Sequence, residues 1–118
     1  RFLCAAAGVL FLCVTRASAA DEVYSGLTSK ELEARFTEWV GKKWQPTAVR
    51  GYTVGGQTRY DATFSSEGHS AFEMRIEMSG EGFKIHNEDL PKGGYKLLVH
   101  STWKVNGQER HAAIWVKE

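Results

Sequence analysis

Beyond Cys13 the chain has no cysteine, since its only two, Cys4 and Cys13, lie near the start. That excludes a disulfide framework, a thiol nucleophile and a cysteine-based zinc site from everything downstream. Its one sustained apolar run is Leu3 to Val14, about twelve residues, well short of the roughly twenty a membrane-spanning helix needs. A block of one charge is also missing. With 15 basic against 14 acidic residues, neither nucleic acid nor an anionic membrane surface is expected as the main partner. There is no H-E-x-x-H, no P-loop and no glycine-rich dinucleotide fingerprint. No catalytic residue, cofactor or metal ion is therefore assigned.

What the N-terminus does carry is an export pattern. Arg1 precedes the apolar run, and Ala17-Ser18-Ala19 follows it with small residues at the two positions a signal peptidase reads. Residues 1–19 read as a signal peptide, which predicts a secreted or periplasmic protein that meets a membrane only before cleavage. Cleavage after Ala19 leaves 99 residues with 13 basic and 14 acidic side chains, a net charge of −1. Both cysteines leave with the signal.

The remaining chain repeats itself. A shift of 51 residues lays Val54-Gly55-Gly56-Gln57-Thr58-Arg59-Tyr60-Asp61-Ala62-Thr63-Phe64 on Val105-Asn106-Gly107-Gln108-Glu109-Arg110-His111-Ala112-Ala113-Ile114-Trp115, with five of eleven positions identical. Upstream, Tyr52 falls on Trp103, Trp44 on Tyr95, Ala48 on Val99, Leu32 on Phe83 and Thr28 on Ser79, without a gap. Residues 20–69 form a first repeat and 70–118 a second, within one two-repeat domain.

Each repeat can be assembled from its turns outward. Asn106-Gly107 favours a two-residue turn with both φ positive, and Gly55-Gly56 serves the same purpose in the first copy. Pairing away from these turns sets Tyr52 opposite Arg59, Arg50 opposite Asp61, Trp103 opposite Arg110 and His100 opposite Ala113. A guanidinium stacked on each ring would stabilise the pair by roughly 0.5–1 kcal/mol if exposed. Thr28-Ser29-Lys30-Glu31 is a capping box, and Leu32, Phe36, Trp39 and Val40 follow at helical spacing up to Gly41. In the second copy Gly80, Gly82 and Asn87 weaken the equivalent helix, which is expected to be short or partly unravelled. Phe72 to Met78 alternates apolar and charged residues as a half-buried strand does, and Asp21 to Ser25 is its counterpart. The fold class is thus α+β: two strand-helix-strand-strand repeats forming a largely antiparallel sheet with the helices packed on one face.

Trp44 through Gly51-Tyr52, followed by Arg59-Tyr60-Asp61-Ala62-Thr63-Phe64, resembles the bacterial tandem repeat domain also found in the N-terminal part of polyglycine hydrolases. Gly94-Tyr95, Trp103 and Arg110-His111-Ala112-Ala113-Ile114-Trp115 resemble it again. Asp61, Thr63, His111 and the glycine-rich second helix depart from its pattern. The resemblance implies a structural repeat that accompanies catalytic domains such as β-lactamase-like serine hydrolases, without itself containing the hydrolase domain.

Candidate chemistry is sparse. Ser101-Thr102-Trp103-Lys104 spells S-x-x-K, but in a strand residues three apart face opposite ways, so Lys104 cannot serve Ser101. His111 is expected opposite Thr102 with His100 diagonal to it, yet a metal site wants a third or fourth protein ligand, and His69 and His86 have no fixed place. Tyr52, Arg59, Trp103 and Arg110, near the hairpin tips, make up the expected binding surface. The expected function is a non-catalytic exported module that binds a protein or cell-envelope component, or acts as scaffold. Alternatives are the repeat region of a secreted hydrolase and a small envelope inhibitor or sensor. Because repeats usually need more than two units to cover their faces, either a closed two-repeat domain or a homo-oligomer is expected.

Overall fold

The computed structural model describes residues 20–67 and 71–117; the signal-peptide assignment and His69 lie outside them. Strand β1 (Asp21–Leu27) leads into helix α1 (Ser29–Gly41), then β2 (Gln45–Val54) and β3 (Gln57–Ser65). The second repeat follows with β4 (Ala71–Met78), α2 (Gly80–Asp89), a 3-10 turn over Leu90–Gly93, β5 (Lys96–Val105) and β6 (Gln108–Lys117). Every sequence-predicted element is present, in the predicted order.

The α+β repeats each contribute one three-stranded antiparallel sheet, ordered β1-β3-β2 and β4-β6-β5. In each, the last strand takes the centre, because the strand before the helix pairs on its far side. The hairpins keep the register built from their turns: Tyr52 opposes Arg59, Arg50 opposes Asp61, Trp103 opposes Arg110 and Thr102 opposes His111. Gly55, Gly56, Asn106 and Gly107 all adopt positive φ, as paired turn residues must.

Helix α1 starts as its sequence dictates. The Thr28 hydroxyl accepts from the Glu31 amide at 3.1 Å while the Glu31 carboxylate accepts from the Thr28 amide at 2.9 Å. The second helix is a full ten residues, a correction to the expectation of an eroded one. Ser79 caps it by accepting from Gly82 at 3.0 Å, and tertiary contacts outweigh its glycines. Asn87 accepts from the Trp115 indole at 3.0 Å, and Phe83 lies stacked near Trp115.

The sheets stack rather than join edge to edge. Tyr60, Ala62 and Phe64 on one face of the first sheet are buried with Leu32 of α1. Ala112, Ile114 and Val116 of the second sheet belong to the same core, with Phe36 of α1 edge-on to Phe72 of β4 at 6.1 Å. Thus α1 lies between its own sheet and the bare face of the next. The opposite face of the second sheet, with Ala113 and Trp115, packs under α2 in a smaller core with Met78 and Phe83.

Candidate functional site: the joint between repeats and the cleft beside it

The joint is built around Gly51. A Cβ added there would meet the Trp103 ring at 2.4–2.6 Å, so only a glycine lets the indole lie flat on β2. Trp103 is 7% exposed; its ring is edge-on to Tyr60 at 5.4 Å and its Nε1 donates to Thr58 Oγ1 at 3.0 Å. Ser101 Oγ accepts from the Gly51 amide at 2.9 Å, and the Thr53 hydroxyl donates to the Lys104 carbonyl. The serine of the S-x-x-K string is therefore a joint residue, without Lys104 beside it.

These contacts relocate part of the expected binding surface. Trp103 is sealed inside the molecule and offers no ring to a ligand. Neither predicted aromatic–arginine stack forms: the cation over Tyr52 is Arg50, at 4.5 Å, whereas Arg59 donates to the Thr58 carbonyl. Arg110 donates to the Glu109 carbonyl and to Gln108 Oε1. Register alone put ring and guanidinium opposite each other; the next repeat took the indole, and Arg50 lies two residues from Tyr52 along the same face. Tyr52 also donates to Asp61 at 2.7 Å, and that carboxylate acceptor raises the pKa of the phenol.

Arg59 and Arg110, equivalent residues of the two repeats, do converge. They line one open cleft of about 450 Å³ between the hairpin tips, together with Thr28 and Ser29 at the start of α1, Asn106, and Glu77. Glu77 accepts from the fully buried Tyr60 hydroxyl at 2.9 Å. Burial, reinforced by that carboxylate, raises the Tyr60 pKa far above the ordinary tyrosine value. Two guanidiniums against the single Glu77 carboxylate leave the cleft lining with a net positive charge, while the α1 N-terminus is already met by the Glu31 carboxylate.

A second cluster lies on the far side of repeat two. His100 Nε2 and His111 Nδ1 are 2.8 Å apart, and Phe83 stacks on both rings, at 3.9 and 5.3 Å. The pairing was foreseeable from the hairpin register. Desolvation, with the neighbouring His111, lowers the His100 pKa. His86 sits apart, tilted against Trp115.

The polyglycine hydrolase-like structural repeat matches twice, over residues 18–66 and 69–118. The chain belongs to that family. The two matches are 51 residues out of phase, the same shift that superposes the hairpins. Comparison with curated proteins and with solved structures gives no match. Among the described residues no helix is long and apolar enough to cross a membrane.

Proposed function

We propose that this polyglycine hydrolase-like repeat pair is a non-catalytic, exported scaffold that holds an acidic segment of a protein or cell-envelope component. The observation that carries the reading is the meeting of Arg59 and Arg110 in one cleft beside the α1 N-terminus. Their guanidinium contacts are with carbonyls and a glutamine of their own strands, so neither is neutralised by an ion pair there. Fork-shaped guanidinium donors favour carboxylates. The Arg1, Leu3–Val14 and Ala17-Ser18-Ala19 pattern supports export.

A Glu-rich peptide is the defined probe, titrated at low and moderate salt against the mature chain. Arg59→Ala and Arg110→Ala are each expected to weaken binding by about tenfold, since a hydrogen bond to a charged group contributes about 1.5–3 kcal/mol. Both variants should melt normally. Equal affinity in the double variant would refute the cleft. A second reading, a repeat region serving a serine hydrolase, is favoured by the family's description; it requires a catalytic Ser and Lys on a helix of another domain.

A further inference from the structure

The joint has a direction. The bare face of sheet two docks on the helix-bearing face of sheet one, so repeat two presents its own helix-bearing face at the far end. The 51-residue shift maps the socket residues Val49, Gly51 and Tyr60 onto His100, Thr102 and His111. Over that end lies α2, a weak helix by composition. Gly80, Gly82 and Asn87 disfavour it, and none of its residues is fully buried, so tertiary contacts must hold it. Phe83 stacks on His100 at 3.9 Å and on His111 at 5.3 Å. The Trp115 indole donates to Asn87 at 3.0 Å, and Leu90 packs beside Trp115 and Met78.

Under Phe83 the two imidazoles meet head-on, His100 Nε2 to His111 Nδ1 at 2.8 Å. Such a contact needs one proton between the nitrogens and one lone pair to receive it. The other nitrogen of His111, Nε2, is buried with no hydrogen-bond partner, and the Glu109 carboxylate stands 3.6 Å from it. That carboxylate favours a proton on Nε2, which makes His111 Nδ1 the acceptor and His100 Nε2 the donor. A first added proton can go to the outer nitrogen of His100 and leave the bond intact. A second must go to His111 Nδ1, and two N–H groups then face each other across the contact. The geometry points to an acid-released latch: when the His100–His111 pair takes up its second proton, α2 leaves the second sheet and uncovers Phe83 and Trp115.

The neighbours do not relieve the doubly protonated pair. Glu109 reaches only the far nitrogen of His111, and Lys104 is the residue opposite Glu109 in the hairpin. On β4, Met78 lies opposite His111 and Arg75 is already paired with Glu73 at 3.1 Å. Thr102 Oγ1 is 3.3 Å from His111 Nδ1 and 3.4 Å from His100 Nε2, beyond the usual limit of about 3.2 Å for N–H to oxygen. From α2 come Phe83 and the backbone of Gly80, where a Cβ would lie 3.6 Å from His111 Nε2; the positive end of the helix disfavours an imidazolium there. Glu81, Lys84, Glu88 and Asp89 of α2 are exposed, and His86 is tilted against Trp115. Desolvation first, and then His111, hold the His100 pKa below its ordinary value, with Glu109 opposing. A histidine lowered in the fold gives its full stability above the ordinary value of about 6.5 and loses it as pH falls below that. Docked, the pair carries one proton; released, it carries two. The released fraction therefore rises about tenfold for each pH unit below about 6.5.

Amide hydrogen exchange of a chain of residues 20–118, from about pH 7.5 to about pH 4.5 and corrected for the intrinsic pH dependence, tests this. Protection of the amides from Phe83 to Leu90 is expected to fall about tenfold per pH unit below about 6.5 relative to Tyr60 and Ala62 of β3. His100→Gln keeps a donor to His111 Nδ1, and its amide can turn to accept once that nitrogen is protonated, so α2 should stay protected through the range. His100→Val combined with His111→Phe leaves no titrating ring and should be flat as well, which serves if the glutamine variant misfolds. In the unaltered chain, imidazole proton shifts should show the second protonation and the loss of α2 protection in one step. Protection of α2 that follows β3 at every pH, an acid loss that persists in either folded variant, or two separate steps would overturn the proposal.

Discussion

Gly51→Ala is the most informative single change, because it adds one methyl group where the two repeats touch most closely. The new Cβ would lie 2.4–2.6 Å from three Trp103 ring atoms, against an ordinary carbon contact of about 3.5–4.0 Å. The indole must retreat by about 1 Å, and its surroundings resist. It is 7% exposed, tied to Thr58 by its Nε1 and edge-on to Tyr60. Overpacking of this kind costs about 1–3 kcal/mol. The indole hydrogen bond adds about 1 kcal/mol if it breaks, and the aromatic pair about 0.5–1.5 kcal/mol if it is lost. About 3 kcal/mol is the central expectation, a fall in Tm of roughly 10–20 °C for a domain of this size. Thermal and urea melts followed by circular dichroism would measure it, with Trp fluorescence reporting the indole. In a Trp103→Ala background the same glycine change should cost almost nothing. A loss under about 1 kcal/mol, or an equal loss in both backgrounds, would refute this account of the joint.

Tyr60→Phe separates the alkaline limb of stability. Burial above all, and then the Glu77 carboxylate, raise the folded pKa of Tyr60, while Arg110 opposes the shift, so its proton is held more tightly in the fold. Its contribution is complete below the ordinary tyrosine pKa of about 10 and is lost as pH rises above that; the phenylalanine variant should show a shallower alkaline decline in urea melts. Thr28→Ala removes one arm of the capping box and is expected to cost about 1 kcal/mol, read from the same melts; no change would mean α1 is held by packing alone. Sedimentation of a chain of residues 20–118 is expected to give a monomer that unfolds in one transition, and a dimer at micromolar concentration would contradict the capped ends described below.

Register was legible in the sequence because paired turn residues and a two-residue period leave little freedom. Once Asn106-Gly107 is the turn, Trp103 must oppose Arg110 and His111 must oppose Thr102. What covers a face was not legible from pairing. Tyr52 and Trp103 hold equivalent places in their hairpins, yet one faces solvent in part and the other is buried, since only the second repeat's bare face meets a neighbour. A signal existed in the residue types. On that face Asp61 and Thr63 are replaced by Ala112 and Ile114, a change from polar to apolar that marks burial. The second helix was underrated for a related reason. Intrinsic propensity counts its glycines, but the stack of Phe83 on the histidines and the Asn87–Trp115 bond are tertiary terms, which routinely override propensity.

The differences between the copies are best understood as differences between two ends. If both outer faces kept the joint's chemistry, repeats would add without limit, as direction-preserving contacts do. At the first repeat, the face equivalent to Val99, Trp103, Ala112 and Ile114 carries Ala48, Tyr52, Asp61 and Thr63, and Arg50 pairs with Asp61 at 3.7 Å. Burying that pair against another repeat would cost desolvation with little return. At the second repeat, the glycine the joint demands is Thr102. Its side chain occupies the space that an incoming indole would need, and the Gly51 geometry measures that clash at a full ångström. One end is thus closed by charge and the other by volume. The second closure leaves two imidazoles and a hydroxyl in place of the socket, bonded to one another and covered by Phe83.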